Sequence, residues 1–492
     1  MAILGFEQPS KENPTKATIH DGTGTSSDPF IVEFRNGDPG NPMNFSSTKK
    51  WIIIFIVTAS VFAITLTSSA YSGSANEILK QFHCSSELFA LGISLYVLGF
   101  AIGPALWAPL SELYGRRILF ITTHTCVVAV VAASAGSRSI TQLLVFRFLT
   151  GMFGASPLTN SGGVIADMFP AAQRGLAMIF FCAAPFMGPV LGPIIGGFIS
   201  MNFGWRWVQG MCIIFIGIVW IAGSILVPET YVPVILRERA AGLAKETGKS
   251  YRSVMQQHHG TTLLFREPIV LIAAIYLAII YGTIYMFMPA LPIVYQRGRG
   301  WSEGVGGLAF LGLICGMIIG LIYAIIDDSR YKKLSQPATP ESRLPQGAVG
   351  AVALPVGLFA FAWTNSPSIH WAVSITLSAP FGFGCVLVFL SCLNYLIDSY
   401  TIYAASVLGA SAMLRAFFGV AFPLFTDQMY GNIGIHWAST IPAFLTLACL
   451  PFPFVMLKFG QTLRLKCKYA QEAASLEARM QGKADSGTSG SE

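Results

Sequence analysis

Twelve apolar stretches, each close to 20 residues long and nearly free of charge, recur along this chain and leave it few folds to choose from. A bilayer core about 30 Å thick is crossed by roughly 20 helical residues, and the helix form is imposed because no water is there to satisfy an open backbone. The predicted spans are residues 51–71, 88–110, 118–136, 143–169, 176–198, 207–227, 269–288, 305–326, 347–363, 371–397, 404–425 and 441–459. Composition agrees: 11% of residues are charged, against roughly 25% in a soluble domain. A soluble enzyme is thereby excluded, and an all-α membrane protein of twelve transmembrane helices is expected.

The first 50 residues are rich in Pro, Gly, Ser and Thr and lack the pattern of a cleaved signal. They read as a disordered cytosolic tail. The longest internal polar stretch, 228–267, divides the spans six and six, which predicts bundles over 51–227 and 268–459 joined by a cytosolic linker. Residues 460–492 form a second cytosolic tail. Lys and Arg gather on the cytoplasmic side of membrane proteins. With both termini inside, only Lys80, Arg138, Arg206, Arg297 and Arg299 fall outside, and Arg147 and Arg415 fall within spans. The net charge of +7 is then that of helix anchors, since no basic run has the aromatic interleaving of a single-strand nucleic-acid binder. Most of the nine cysteines sit in spans as small packing residues, and no metal spacing or disulfide framework is present.

The halves look duplicated. Ala108, Glu112, Arg116 and Arg117 fall on Ala324, Asp328, Lys332 and Lys333 at an offset of 216, while Asp167 and Gly188 fall on Asp398 and Gly419 at an offset of 231. Parallel six-span repeats with a midplane site between them are an architecture of alternating-access transporters. No Asp or Glu lies at the centre of any span. Of the residues that could titrate, His124 sits seven residues into the third span, where its intrinsic pKa suits proton transfer or where it packs. Arg415, about eleven residues into its span, lies near mid-membrane at 1.5 Å per residue. Asp398 is the acid nearest to it in sequence and either exchanges pairing with it or pairs structurally. The linker run Gly242 to Ser250 suggests a phosphate loop but has five residues between its glycines where four are required.

Several turns carry recognisable chemistry. Pro109-Leu-Ser-Glu112-Leu-Tyr-Gly115-Arg116-Arg117 resembles the signature loop of the major facilitator superfamily, with Glu112 as its acid and Leu113 in place of an arginine. The resemblance implies a conformational latch of Glu112, Gly115, Arg116, Arg117 and Asp167, with Asp328 as its counterpart; the arginines would also serve simply as positive-inside anchors. Arg147-Phe-Leu-Thr-Gly151 resembles the family's fourth-span pattern, which implies proton transfer for Arg147, although a residue near a span end also snorkels. Gly188-Pro189-Val-Leu-Gly192-Pro193-Ile-Ile-Gly196-Gly197 looks like the fifth-span signature of antiporters.

Asp38-Pro-Gly-Asn-Pro-Met-Asn44, Pro228-Glu-Thr-Tyr231 and Leu463-Arg-Leu-Lys-Cys-Lys-Tyr469 resemble the twelve-span drug:proton antiporters of fungi, the branch of polyamine and azole-resistance exporters. That resemblance implies the major facilitator fold and a cavity lined by the first, fourth, seventh and tenth spans. Tyr71, Asn160, Tyr281, Tyr285, Phe383 and Asn394 would line it, or pack between helices; aromatic faces there would take amphipathic or cationic molecules. The expectation is a monomeric, cofactor-free plasma-membrane exporter coupling protons to drugs, polyamines or secondary metabolites. A nutrient uptake permease is the alternative that shares the fold.

Overall fold

A computed structural model of the protein describes residues 18–20, 24–25, 29–35, 37–170, 173–253, 267–332, 339–400, 404–464 and 467. Lys333, linker residues 254–266, most of the C-terminal motif 463–469 and the outer parts of both tails lie outside the described residues. The first six spans are the helices Ser47–Ala70, Ser86–Tyr114, Arg116–Ala135, Ile140–Met168, Gly175–Phe203 and Trp205–Leu226. The second six are Pro268–Leu291, Leu311–Lys332, Leu344–Thr364, Ala379–Ser399, Ala404–Ile433 and a last span broken at Leu450 into Ile435–Cys449 and Pro451–Arg464. Among the described residues, eleven helical segments are long and apolar enough to cross a bilayer unaided, and Ile140–Met168 is not among them. Arg147, Thr150, Asn160, Ser161 and Asp167 lower its hydropathy. This fourth span is carried by its neighbours, and its polar residues turn inward, Arg147 being 2% exposed. The opposite case is the sixth span, where Ile214, Ile218, Ile221 and Ile225 stand exposed at helical spacing on the face that lipid covers.

Close packing inside each half depends on glycine. Gly151 lies against the Tyr96 backbone and Gly99 against Gly151 and Met152, so the second and fourth spans meet with no side chain between them. Gly312, Gly316 and Gly382 let the eighth and tenth spans meet in the same way in the second half. Small residues permit such approach where lipid provides no hydrophobic drive for helix association. The halves face each other along the fifth and eighth spans and along the second and eleventh, where the Ser94 hydroxyl donates to the Val420 carbonyl at 2.9 Å.

The polar N-terminal segment departs from the expected disordered tail. Strand Phe30–Glu33 pairs antiparallel with Thr18–His20 and parallel with Tyr251–Ser253 of the linker. Val32 packs on Leu236, Ala240 and Leu243 of the linker helix Val232–Thr247, and Arg239 binds Asp38 at 2.6 Å. The run Phe-Ile-Val supplies β-branched and aromatic side chains that favour a strand. Gly242 lies inside that linker helix, so no phosphate loop forms there.

Candidate functional site

At the end of the bundle that carries the chain termini, Gly115 adopts φ +95° and breaks the second span from the third. The Arg116 and Arg117 amides then point outward and donate to the two carboxylate oxygens of Glu229, at 2.9 and 3.0 Å. A carboxylate there satisfies orphan N–H groups and opposes the positive end of the helix dipole. The Arg116 side chain turns inward, to Asp167 at 3.6 Å, to Asn160 at 3.3 Å and to the Ser111 hydroxyl, under the Tyr231 ring at 4.8 Å. Burial and the Glu112 carboxylate push the Tyr231 phenol above its ordinary value, Arg116 opposing them and Asp167 adding to the rise. Glu112 forms no ion pair among the described residues; Glu229, which the motif does not contain, is the acid that holds both arginines. These partners all precede residue 232, so this cluster braces the first half and does not span the two.

The bridge between halves at this end is a different set of residues. Arg174, just before the fifth span, pairs with Asp398 at 3.0 Å, and Arg343 reaches Asp398 and Asp328, each at 3.3 Å. A cleft beside them, with a volume of about 10 Å³, is lined by Gly175, Asp328, Arg343 and Asn394. Asp398 therefore belongs to Arg174 and Arg343, correcting its expected pairing with Arg415, which stands eleven residues along the next helix and so about 16 Å away along the axis. At the far end the Asn76 amide donates to Glu303 at 2.8 Å, Gly304 N–H meets the Met201 sulfur at 3.0 Å, and Gly197 faces Gly304. The halves thus touch at both ends.

Between those ends lie two arginines. Arg147 donates to the carbonyls of Gly92 at 3.1 Å, Thr67 at 2.9 Å and Ser68, with its guanidinium 4.5 Å from the Tyr71 ring and 4.4 Å from the Tyr96 ring. Tyr71, stacked on Phe89 at 4.5 Å, is consumed in that packing. Ser68 also holds Tyr285 at 3.0 Å, and Tyr281 donates to Tyr285 at 3.4 Å, so a chain of hydroxyls runs from the first half into the second. Past Tyr281 stands Arg415, 4.8 Å over the Phe389 ring; its Nη1 is buried with no hydrogen-bond partner.

Of the six residues expected to line the cavity, Tyr281 and Tyr285 are central. Asn160 and Asn394 belong to the charge clusters at the termini-bearing end. Phe383 packs on Tyr323 of the eighth span, ring to ring at 5.9 Å. His124 is held between Ser60 at 2.5 Å and the Phe120 carbonyl at 2.8 Å, within the first half and away from the hydroxyl chain. Within the glycine-proline run, Gly188, Gly192 and Gly196 seat residues 65–70 of the first span, and Gly197 faces the other half. Pro189 and Pro193 are accommodated inside the unbroken helix. No cluster of metal ligands occurs among the described residues.

Two helical halves closed on a polar interior define a multi-pass membrane transporter. The chain belongs to the Major Facilitator Superfamily, whose profile matches residues 54–423, a family of transporters and not of enzymes. It is 60% identical over 484 residues, 94% of this chain and 93% of the relative, to the major facilitator-type transporter sorT of Penicillium rubens. It is 56% identical over 471 residues, 92% of this chain and 79% of the relative, to the MFS-type efflux pump MFS2 of Trichophyton rubrum. Among solved structures, the proton:xylose symporter XylE matches over 84% of this chain and 96% of its own with a TM-score of 0.64 at 17% identity, a likeness of fold.

Proposed function

We propose that this protein exports small organic molecules, of the drug or secondary-metabolite kind, in exchange for protons, working as a monomer in the plasma membrane with both termini in the cytosol. The observation that carries this reading is that the halves are joined at both ends by different and breakable contacts. A solute entering from the cytosol has to part Arg174 from Asp398, and one leaving has to part Asn76 from Glu303. Alternation of two such gates around one interior is population shift between two states, each stabilised by its own contacts. Export is supported by the relative that is called an efflux pump and by the fifth-span glycine-proline run.

Proton coupling is assigned to Asp398. Protonating it removes the charge that holds Arg174, which frees the cytosolic gate while Arg343 keeps Asp328. Arg147, with its donors engaged by backbone carbonyls, sets the geometry around the hydroxyl chain and does not itself exchange a proton. Yeast cells expressing the protein and loaded with a panel of fluorescent drugs test this. Efflux should stop when a protonophore collapses the gradient and persist when ATP is depleted with the gradient clamped. The reverse dependence, or accumulation of the drugs in place of efflux, would end the reading.

A further inference from the structure

We propose that Arg415 is the recognition residue for an anionic group on the transported molecule, so that the substrates include small aromatic or amphipathic acids. The proposal rests on the export reading above and specifies its substrate class. The two intramembrane arginines receive very different treatment. Arg147 spends its donors on three carbonyls, whereas Arg415 leaves Nη1 buried without a partner. Uncompensated charge inside a membrane protein costs at least a few kcal/mol, and a chain keeps it where something else completes it.

The surroundings tell what that is. Tyr281 and Cys182 stand in electrostatic reach of the guanidinium, and the residue as a whole is half-buried. Phe389 lies 4.8 Å beneath the guanidinium, and Phe186 packs edge-on to Phe389 at 4.4 Å and to Tyr281 at 6.4 Å. These rings come from the fifth, seventh and tenth spans, so the site straddles both halves. No carboxylate stands at mid-span anywhere in the chain, the intramembrane acids being confined to the ends. The Tyr281 hydroxyl donates to Tyr285, which is hydrogen-bonded to Ser68, so neither phenol supplies the guanidinium with a counter-charge. A planar fork of N–H donors matches a carboxylate in two parallel hydrogen bonds, and flanking rings accept the face of an aromatic acid. A polycation would find no counter-charge and one like charge.

The test compares three probes of one shape, 2-naphthoate, 2-naphthamide and 2-naphthylmethylammonium, by equilibrium binding to the full-length protein in detergent. Wild type should hold naphthoate at least about tenfold more tightly than the amide, the scale of a charge-assisted hydrogen bond. Arg415→Gln should erase that preference and keep the amide affinity, which also reports an intact fold; Arg415→Lys should retain part of it. Equal affinity for acid and amide, preference for the ammonium, no binding of naphthoate, or a matched loss of acid and amide in Arg415→Gln together with an unchanged acid-to-amide ratio in Arg415→Lys would each overturn the proposal. Because binding is read with no gradient, failure of proton-driven export leaves this result standing, and the reverse also holds.

Discussion

Arg147 and Arg415 are both cations held inside the spans, and they differ in who answers the charge. Three carbonyls of the first and second spans answer Arg147, which turns it into a tie between helices. Nothing fixed answers Arg415 on Nη1. A buried charge that is fully hydrogen-bonded works as structure, and one that is left open works as a receptor, even though the two look alike as single letters within apolar runs.

The sharpest way to break this contrast is Arg147→Ala. It strands the Gly92, Thr67 and Ser68 carbonyls, so we expect a loss of about 3–5 kcal/mol of stability and no export, with the protein still inserted in the membrane; thermal unfolding in detergent and a cell-surface label measure these separately. Arg415→Leu should move the other way, raising stability by about 1–3 kcal/mol while export of acidic probes falls. A melting temperature lowered by both substitutions would erase the distinction. Asp398→Asn, which leaves Arg174 without its charge partner, should raise thiol labelling of a cysteine placed at the seam beside Arg174 and cut export by about tenfold. Smallest is Tyr285→Phe, which removes the hydroxyl linking the two arginine sites; we expect about 1 kcal/mol in stability and a change in export of less than about threefold.

The spans and the division into halves could be read along the chain, because each is written as a local run or a local break between runs, whereas Arg147 near a span end reads equally as snorkelling or buried. Glu229 could not. It lies 113 residues from Arg116, and a carboxylate capping a distant helix leaves no pattern in spacing. Arg174 appeared as one more positive-inside charge, and its partner is 224 residues away across the seam. Asp398 was matched to Arg415 by nearness in sequence, which a rising helix converts into distance. The strand at residues 30–33 did have a signal, the β-branched and aromatic run in an otherwise polar tail, but its partner in the linker is set only by the fold. Tyr71 and Phe383 lie against neighbouring rings and Asn160 and Asn394 beside the charge clusters, placements that an aromatic or amide on an inner face does not reveal in the sequence.

The far gate has a further consequence. Gly304 receives the Phe198 ring and the Met201 sulfur there, while Gly197 meets the backbone of residues 303–304, so this joint is made of side chains seated on glycine as well as of the Asn76–Glu303 hydrogen bond. The two ends of the molecule therefore give up different things when they part. The end that carries the termini uncovers charges, which water solvates, whereas the far end uncovers an aromatic ring and a thioether, which water does not.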